Sequence, residues 1–178
     1  MKAWIFRSLA TVVAALVASF GLVAPAPANA ATRAELKAAA TSVAYEKVGG
    51  GNYAKYKEKY PKALNWGNDG CSVPSEVLLF GGLGAAIKAY GGVFEKSCDR
   101  HDFGYRNFGK NTSTAGVHPK FSPTRATKDK IDSKFYSNMK VQCESKYGSL
   151  NPLRAACKAA AKVFYEAVSH RGDKAFFG

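Results

Sequence analysis

The sequence predicts an all-α fold stapled by disulfides. Three observations carry that prediction. Two long segments repeat apolar residues at the helical period, glycine and proline punctuate the stretches between them, and an even number of cysteines follows an apolar leader.

The leader places Lys2 and Arg7 ahead of the apolar run LATVVAALVASFGLVA and then breaks into PAPANA. A basic start, an apolar run and the small-residue end Ala28-Asn29-Ala30 are the marks of a secretory signal peptide, with cleavage expected after Ala30. The run is short and ends at Pro25 and Pro27, which argues against a membrane anchor. Residues 31–178 are then expected to form one secreted domain, long enough to bury a real core. A net charge of +13 suits a polyanionic partner such as anionic lipid headgroups, nucleic acid or cell wall, or serves solubility; charge alone does not choose.

Along the chain, TRAELKAAATSVAYEKV (32–48) reads as a helix stopped by the glycines at 49–51. NYAKYKEKY (52–60) repeats tyrosines at helical spacing among lysines, and Pro61 ends it. SEVLLFGGLGAAIKAYGG (75–92) is apolar and glycine-rich. It lacks a preceding strand and a complete G-x-G-x-x-G, so a buried or interface-facing helix fits better than nucleotide binding. Residues 109–125 are loop by composition, broken by Pro119 and Pro123, and hold the sequon at Asn111 as well as His118. His170 falls near the end of the last helix, where a cation suits the dipole.

Two helices carry the chemistry. At about 100° per residue from Phe94, the residues Phe94, Cys98, Tyr105 and Phe108 fall in a stripe roughly 80° wide. His101 lies about 25° from its centre and Asp102 about 75° away at the rim, while Arg100 and Arg106 point off it. In the helix expected over 127–146, Ile131, Phe135, Tyr136, Met139 and Cys143 form the apolar stripe. Asp132 sits about 25° from that stripe's centre, with Asp129 at the edge. An inward carboxylate costs several kcal/mol unless something pairs with it, and the matching inward group is His101. Such an aspartate fixes the imidazole tautomer and leaves the second nitrogen to take a proton from water.

Cys71, Cys98, Cys143 and Cys157 allow three disulfide pairings. Zinc through Cys98-x-x-His101 is a rival that lacks a C-x-x-C knuckle. Asn151 and Pro152 suit the N-cap and first position of a last helix that puts Leu153, Cys157, Ala160, Phe164 and Val168 on one face. A helical hairpin there can bring Cys143 to Cys157 and leave Cys71 for Cys98. NDGCS (68–72) would then lie beside the His101–Asp102 helix. Asp69, Asp102 and the carbonyl of Gly70 would make a hard-oxygen set suited to calcium.

CDRHDFGYRN (98–107) resembles the active-site helix of secreted bacterial and fungal phospholipases A2. WGNDGC (66–71) is similar to that family's calcium loop, and KIDSKFYSNM (130–139) to its second catalytic helix. The resemblance implies a compact helical domain in which two antiparallel helices carry the His101–Asp132 pair. It makes His101 the base, Asp132 its partner and Tyr105 a support, with calcium on Asp69, Gly70 and Asp102. The implied reaction is calcium-dependent hydrolysis of the sn-2 ester at a phospholipid bilayer or micelle surface. An anionic surface would suit the charge, and a monomer is expected. VLLFGGLGAAI reads either as acyl-channel lining or as core packing. The segments 72–97 and 109–125 look longer than in short bacterial members. Two other classes remain: a cationic membrane- or cell-wall-binding protein on the same scaffold, and a nuclease, for which no nucleic-acid-binding motif is visible.

Overall fold

The computed structural model describes residues 31–72, 81–110 and 121–178. The expected signal peptide, the first part of the apolar stretch, Asn111 and His118 lie outside the described residues. Every regular element among the described residues is a helix, and none is long and apolar enough to cross a membrane.

Helix α1 (Arg33–Ala44) starts on a reciprocal cap. Thr32 Oγ1 accepts from the Glu35 amide and the Glu35 carboxylate accepts from the Thr32 amide at 2.8 Å. It ends before the expected Val48 because Glu46 has another task. Its carboxylate accepts from the amides of Asn52 at 2.6 Å and Tyr53 at 3.1 Å, capping helix α2 (Asn52–Lys59).

Helix α3 (Leu83–Phe108) is continuous from the glycine-rich stretch into CDRHDFGYRN, which the sequence reads as separate pieces. Glycine disfavours a helix interior, so the continuity comes from packing: Leu83, Ala86, Phe94 and Cys98 enter one core with Phe164. The helix is also buried on its far side. Phe103, about 180° from the predicted stripe, is 0% exposed. It lies against Trp66 at 4.5 Å between ring centroids and against Tyr53 at 6.3 Å. Arg100, expected to point outward, is buried and pairs with Glu46 at 3.3 Å.

Helix α4 (Arg125–Lys146) runs antiparallel to α3: Ile131 faces Gly104, while Gln142 bonds Ser97 and the Val93 carbonyl near the other end. A Cβ on Gly104 would stand 3.0 Å from Ile131, so this glycine sets how closely the two helices approach. Asn151 accepts from the Leu153 amide at 2.9 Å ahead of helix α5 (Leu153–Arg171), which packs back along α4. Cys157, Ala160, Ala161, Phe164 and Ala167 form its buried face. Leu153, expected on that face, is 51% exposed because it precedes the contact region. The short helix α6 (Asp173–Phe177) buries Phe176 against Tyr105.

The disulfides join Cys71 to Cys98 and Cys143 to Cys157, with Cα separations of 5.3 and 5.8 Å. The first bridge anchors one end of the 64–72 loop on α3, and Asn107 anchors the other. Asn107 Oδ1 accepts from the Asn65 amide at 3.0 Å, and its Nδ2 donates to the carbonyls of Asn65 at 2.8 Å and Phe103 at 2.9 Å. Truncating a fully buried residue that satisfies three backbone groups strands those groups. Asn107→Ala is therefore expected to lose roughly 1–3 kcal/mol of unfolding free energy. Denaturant titration measures it, with faster hydrogen exchange at the Asn65 amide as the local sign.

Candidate active site

The antiparallel crossing of α3 and α4 brings His101 and Asp132 together. His101 Nε2 lies 3.0 Å from Asp132 Oδ1, and both residues are buried. The imidazole is held between Tyr105 and Phe135, whose ring centroids lie 4.2 and 4.5 Å away. Tyr105 is one turn beyond His101, and its hydroxyl donates to the same carboxylate oxygen at 2.9 Å. Burial, with the Asp132 charge next, pushes the Tyr105 phenol well above its ordinary value and keeps it a donor.

The second carboxylate oxygen is taken by a residue that the sequence reading passed over. Lys128 Nζ donates to Asp132 Oδ2 at 2.7 Å, and its side chain is 0% exposed. The signal was there: on the wheel that selected Asp132, Lys128 falls about 15° from the stripe's centre, one turn earlier. Burial opposes the charged form of Asp132, yet bonds and charge from His101 and Lys128 outweigh it and hold the carboxyl below its usual range. An ionised carboxylate only accepts, so the proton in the His101 contact sits on Nε2. Nδ1 is then the nitrogen with a lone pair, and no described residue bonds it.

Beside this pair lies the 64–72 loop. Trp66 Nε1 donates to the Tyr60 carbonyl at 2.9 Å while its ring covers Phe103. Gly70 takes a φ of 64°, a turn conformation that side chains disfavour. The Asp69 amide donates to Asp102 Oδ2 at 3.1 Å, and Arg106 donates to Asp69 Oδ1 at 2.9 Å. Asp69, Gly70 and Asp102 are thus neighbours, joined through the bridge of Cys71 to Cys98.

The donor set has the chemistry a hard cation needs. Burial first, and then the neighbouring Asp69 carboxyl, push Asp102 up to about 8. Two carboxylates that near each other cannot both ionise cheaply without a positive partner, and Arg106 supplies only part of one. Among the described residues no three acidic, histidine or cysteine side chains cluster as a metal cage. Carbonyl and water oxygens would have to complete a shell, as calcium tolerates.

The Asp132 environment predicts a pH effect. Its pKa is lowered from 3.8, so its stabilisation is complete above that value and is lost as the pH falls through the lower folded value. Asp132→Asn should therefore flatten the fall in melting temperature between about pH 5 and pH 2, as followed by circular dichroism.

Comparison with known proteins agrees with the architecture. Residues 44–172 match the model of the prokaryotic phospholipase A2 family. Over 117 residues the chain is 32% identical to a secretory phospholipase A2 of Beauveria bassiana (strain ARSEF 2860), covering 65% of this chain and 48% of that protein. The chain thus spans about half the length of this curated relative. With the family match extending over most of the chain and both facing helices inside it, the protein belongs to the prokaryotic phospholipase A2 family.

Proposed function

We propose that the protein is a secreted, calcium-dependent phospholipase A2 that hydrolyses the sn-2 ester of glycerophospholipids. The observation that carries this reading is the 3.0 Å contact of His101 Nε2 with an ionised, buried Asp132, which leaves Nδ1 as a base. Family membership supports the phospholipid substrate. The disulfides and the leader with Ala28-Asn29-Ala30 support export, with residues 31–178 as the single mature domain.

His101 Nδ1 takes a proton from water as the water oxygen attacks the ester carbonyl. Asp132 and Tyr105 hold the ring and stabilise the imidazolium. The same nitrogen returns the proton to the departing glycerol oxygen, which releases a fatty acid and a lysophospholipid. Asp69, Asp102 and the Gly70 carbonyl are the residues that would hold calcium. The chemistry a bound calcium supplies is Lewis-acid polarisation of the carbonyl and stabilisation of its oxyanion. In the described part of the glycine-rich stretch Leu83 and Ala86 enter the core while Gly84, Ala85, Lys88 and Ala89 are exposed, so it packs the interior along one face only. Without Lys2 and Arg7 the mature domain carries +11, a charge suited to an anionic bilayer or micelle surface; it acts there as a monomer, with no nucleic acid as partner.

The direct test is fatty-acid release from mixed phosphatidylcholine and phosphatidylglycerol vesicles, with calcium or excess EGTA. Wild type should release the sn-2 chain only with calcium, and His101→Ala should lose about 10²–10⁴-fold. A folded, calcium-binding wild type that releases nothing would overturn the enzyme reading in favour of a membrane-binding scaffold. Calorimetry supplies a separate check on the metal. Asp69→Asn and Asp102→Asn should each weaken calcium binding by tenfold or more, roughly what one lost charged ligand is worth.

A further inference from the structure

We infer that Lys128 is a positioning residue for the reaction: its buried ammonium fixes the Asp132 carboxylate so that Oδ1 alone is presented to His101. This rests on the His101–Asp132 reading above and adds a residue to it.

The geometry is that of a junction. Lys128 Nζ donates to Asp132 Oδ2 at 2.7 Å and to the Val168 carbonyl at 2.9 Å, and it stands 3.5 Å from Asp173 Oδ1. It also lies 6.0 Å from the centroid of the Tyr105 ring. Three helices therefore meet on one ammonium: α4 carries it, the end of α5 gives the carbonyl and α6 gives Asp173. Asp173 in turn is gripped by Arg125 through two bonds of 2.6 Å.

A lysine with 0% exposure is rare unless its charge is answered, and here the partner is the carboxylate that the chemistry needs. A carboxylate bonded only through Oδ1 could rotate about its last torsion, sharing both oxygens between His101 and Tyr105. The contact at Oδ2 removes that freedom. It also keeps Asp132 an acceptor on both oxygens, which is the condition for placing the imidazole proton on Nε2. A purely structural lysine could make the bond to the Val168 carbonyl and stop there.

Lys128→Met keeps the apolar stem and removes the charge; Lys128→Gln keeps a donor. In folded variants we expect kcat for vesicle hydrolysis to fall about 10- to 100-fold while KM stays within about twofold. Calcium affinity should be unchanged. The ¹⁵N shifts of His101 should move from one tautomer to a mixture. In an Asp132→Asn background, Lys128→Met should change kcat by less than about twofold, because its route to the reaction is gone. A folded variant with wild-type kcat, or full additivity with Asp132→Asn, overturns the inference.

The unmodified protein gives a reading that no variant's folding can spoil. At neutral pH the Lys128 side chain should appear by ¹⁵N NMR as an ammonium protected from exchange. A neutral or freely exchanging amine would overturn the inference as well. His101→Ala separates the two levels. If it leaves hydrolysis intact, the dyad reading fails; if it abolishes hydrolysis while Lys128→Met does not, only the role of Lys128 fails.

Discussion

One buried carboxylate sets the terms for the rest of this molecule. Asp132 is 1% exposed and lies on the most apolar face of its helix. An ion removed from water carries a penalty of several kcal/mol, and removing one partner of a buried pair commonly costs 3–5 kcal/mol. The chain answers with three donors from two helices: His101, Tyr105 and Lys128. Satisfying the two on α3 fixes the register of its antiparallel crossing with α4, because slipping one helix by a single residue would swing them by about 100°. Gly104 permits the necessary approach, and the rings of Tyr105 and Phe135 flank the imidazole at 4.2 and 4.5 Å.

The second constraint is a loop that must lie still without secondary structure of its own. The 64–72 segment is held by Asn107 near one end and by the disulfide of Cys71 to Cys98 at the other, with Trp66 seated on Phe103 between them. All of these anchors stand on α3, the helix that carries His101 and Asp102. The proposed base and the carboxylates of the candidate calcium site are thus attached to one rigid body. Closing loops spanning 27 and 14 residues, the two bridges are worth about 3–4 kcal/mol each in the chain-entropy view. The first also restrains the site.

Periodicity made much of this legible. Turning the chain at the helical period put His101 and Asp132 on inward faces, and the residues between Cys143 and Cys157 read as a hairpin. The same method went astray where a helix has two buried faces. Phe103 and Arg100 lie away from the stripe that holds His101 and read as outward, yet Tyr53 of α2, Glu46 and the Trp66 loop cover them. A wheel reports the polarity of one helix and carries no information about how many neighbours surround it. Lys128 was passed over for a related reason: its charge says solvent, while its position in the stripe says interior. Only a partner on a neighbouring element decides between the two.

The sequence by itself determined the helical class, the family resemblance, the inward pair and the nearness of Asp69 and Asp102 to the bridged cysteines. Those are properties of residue type and spacing, which survive without coordinates. Tertiary structure alone decided that α3 runs unbroken through its glycines, that α1 gives up its last turn so that Glu46 can cap α2, and that Lys128 joins three helices at Asp132. Each of those depends on groups far apart in the chain meeting in a low-dielectric interior. There, an unmet charge or amide costs more than any local preference can offset.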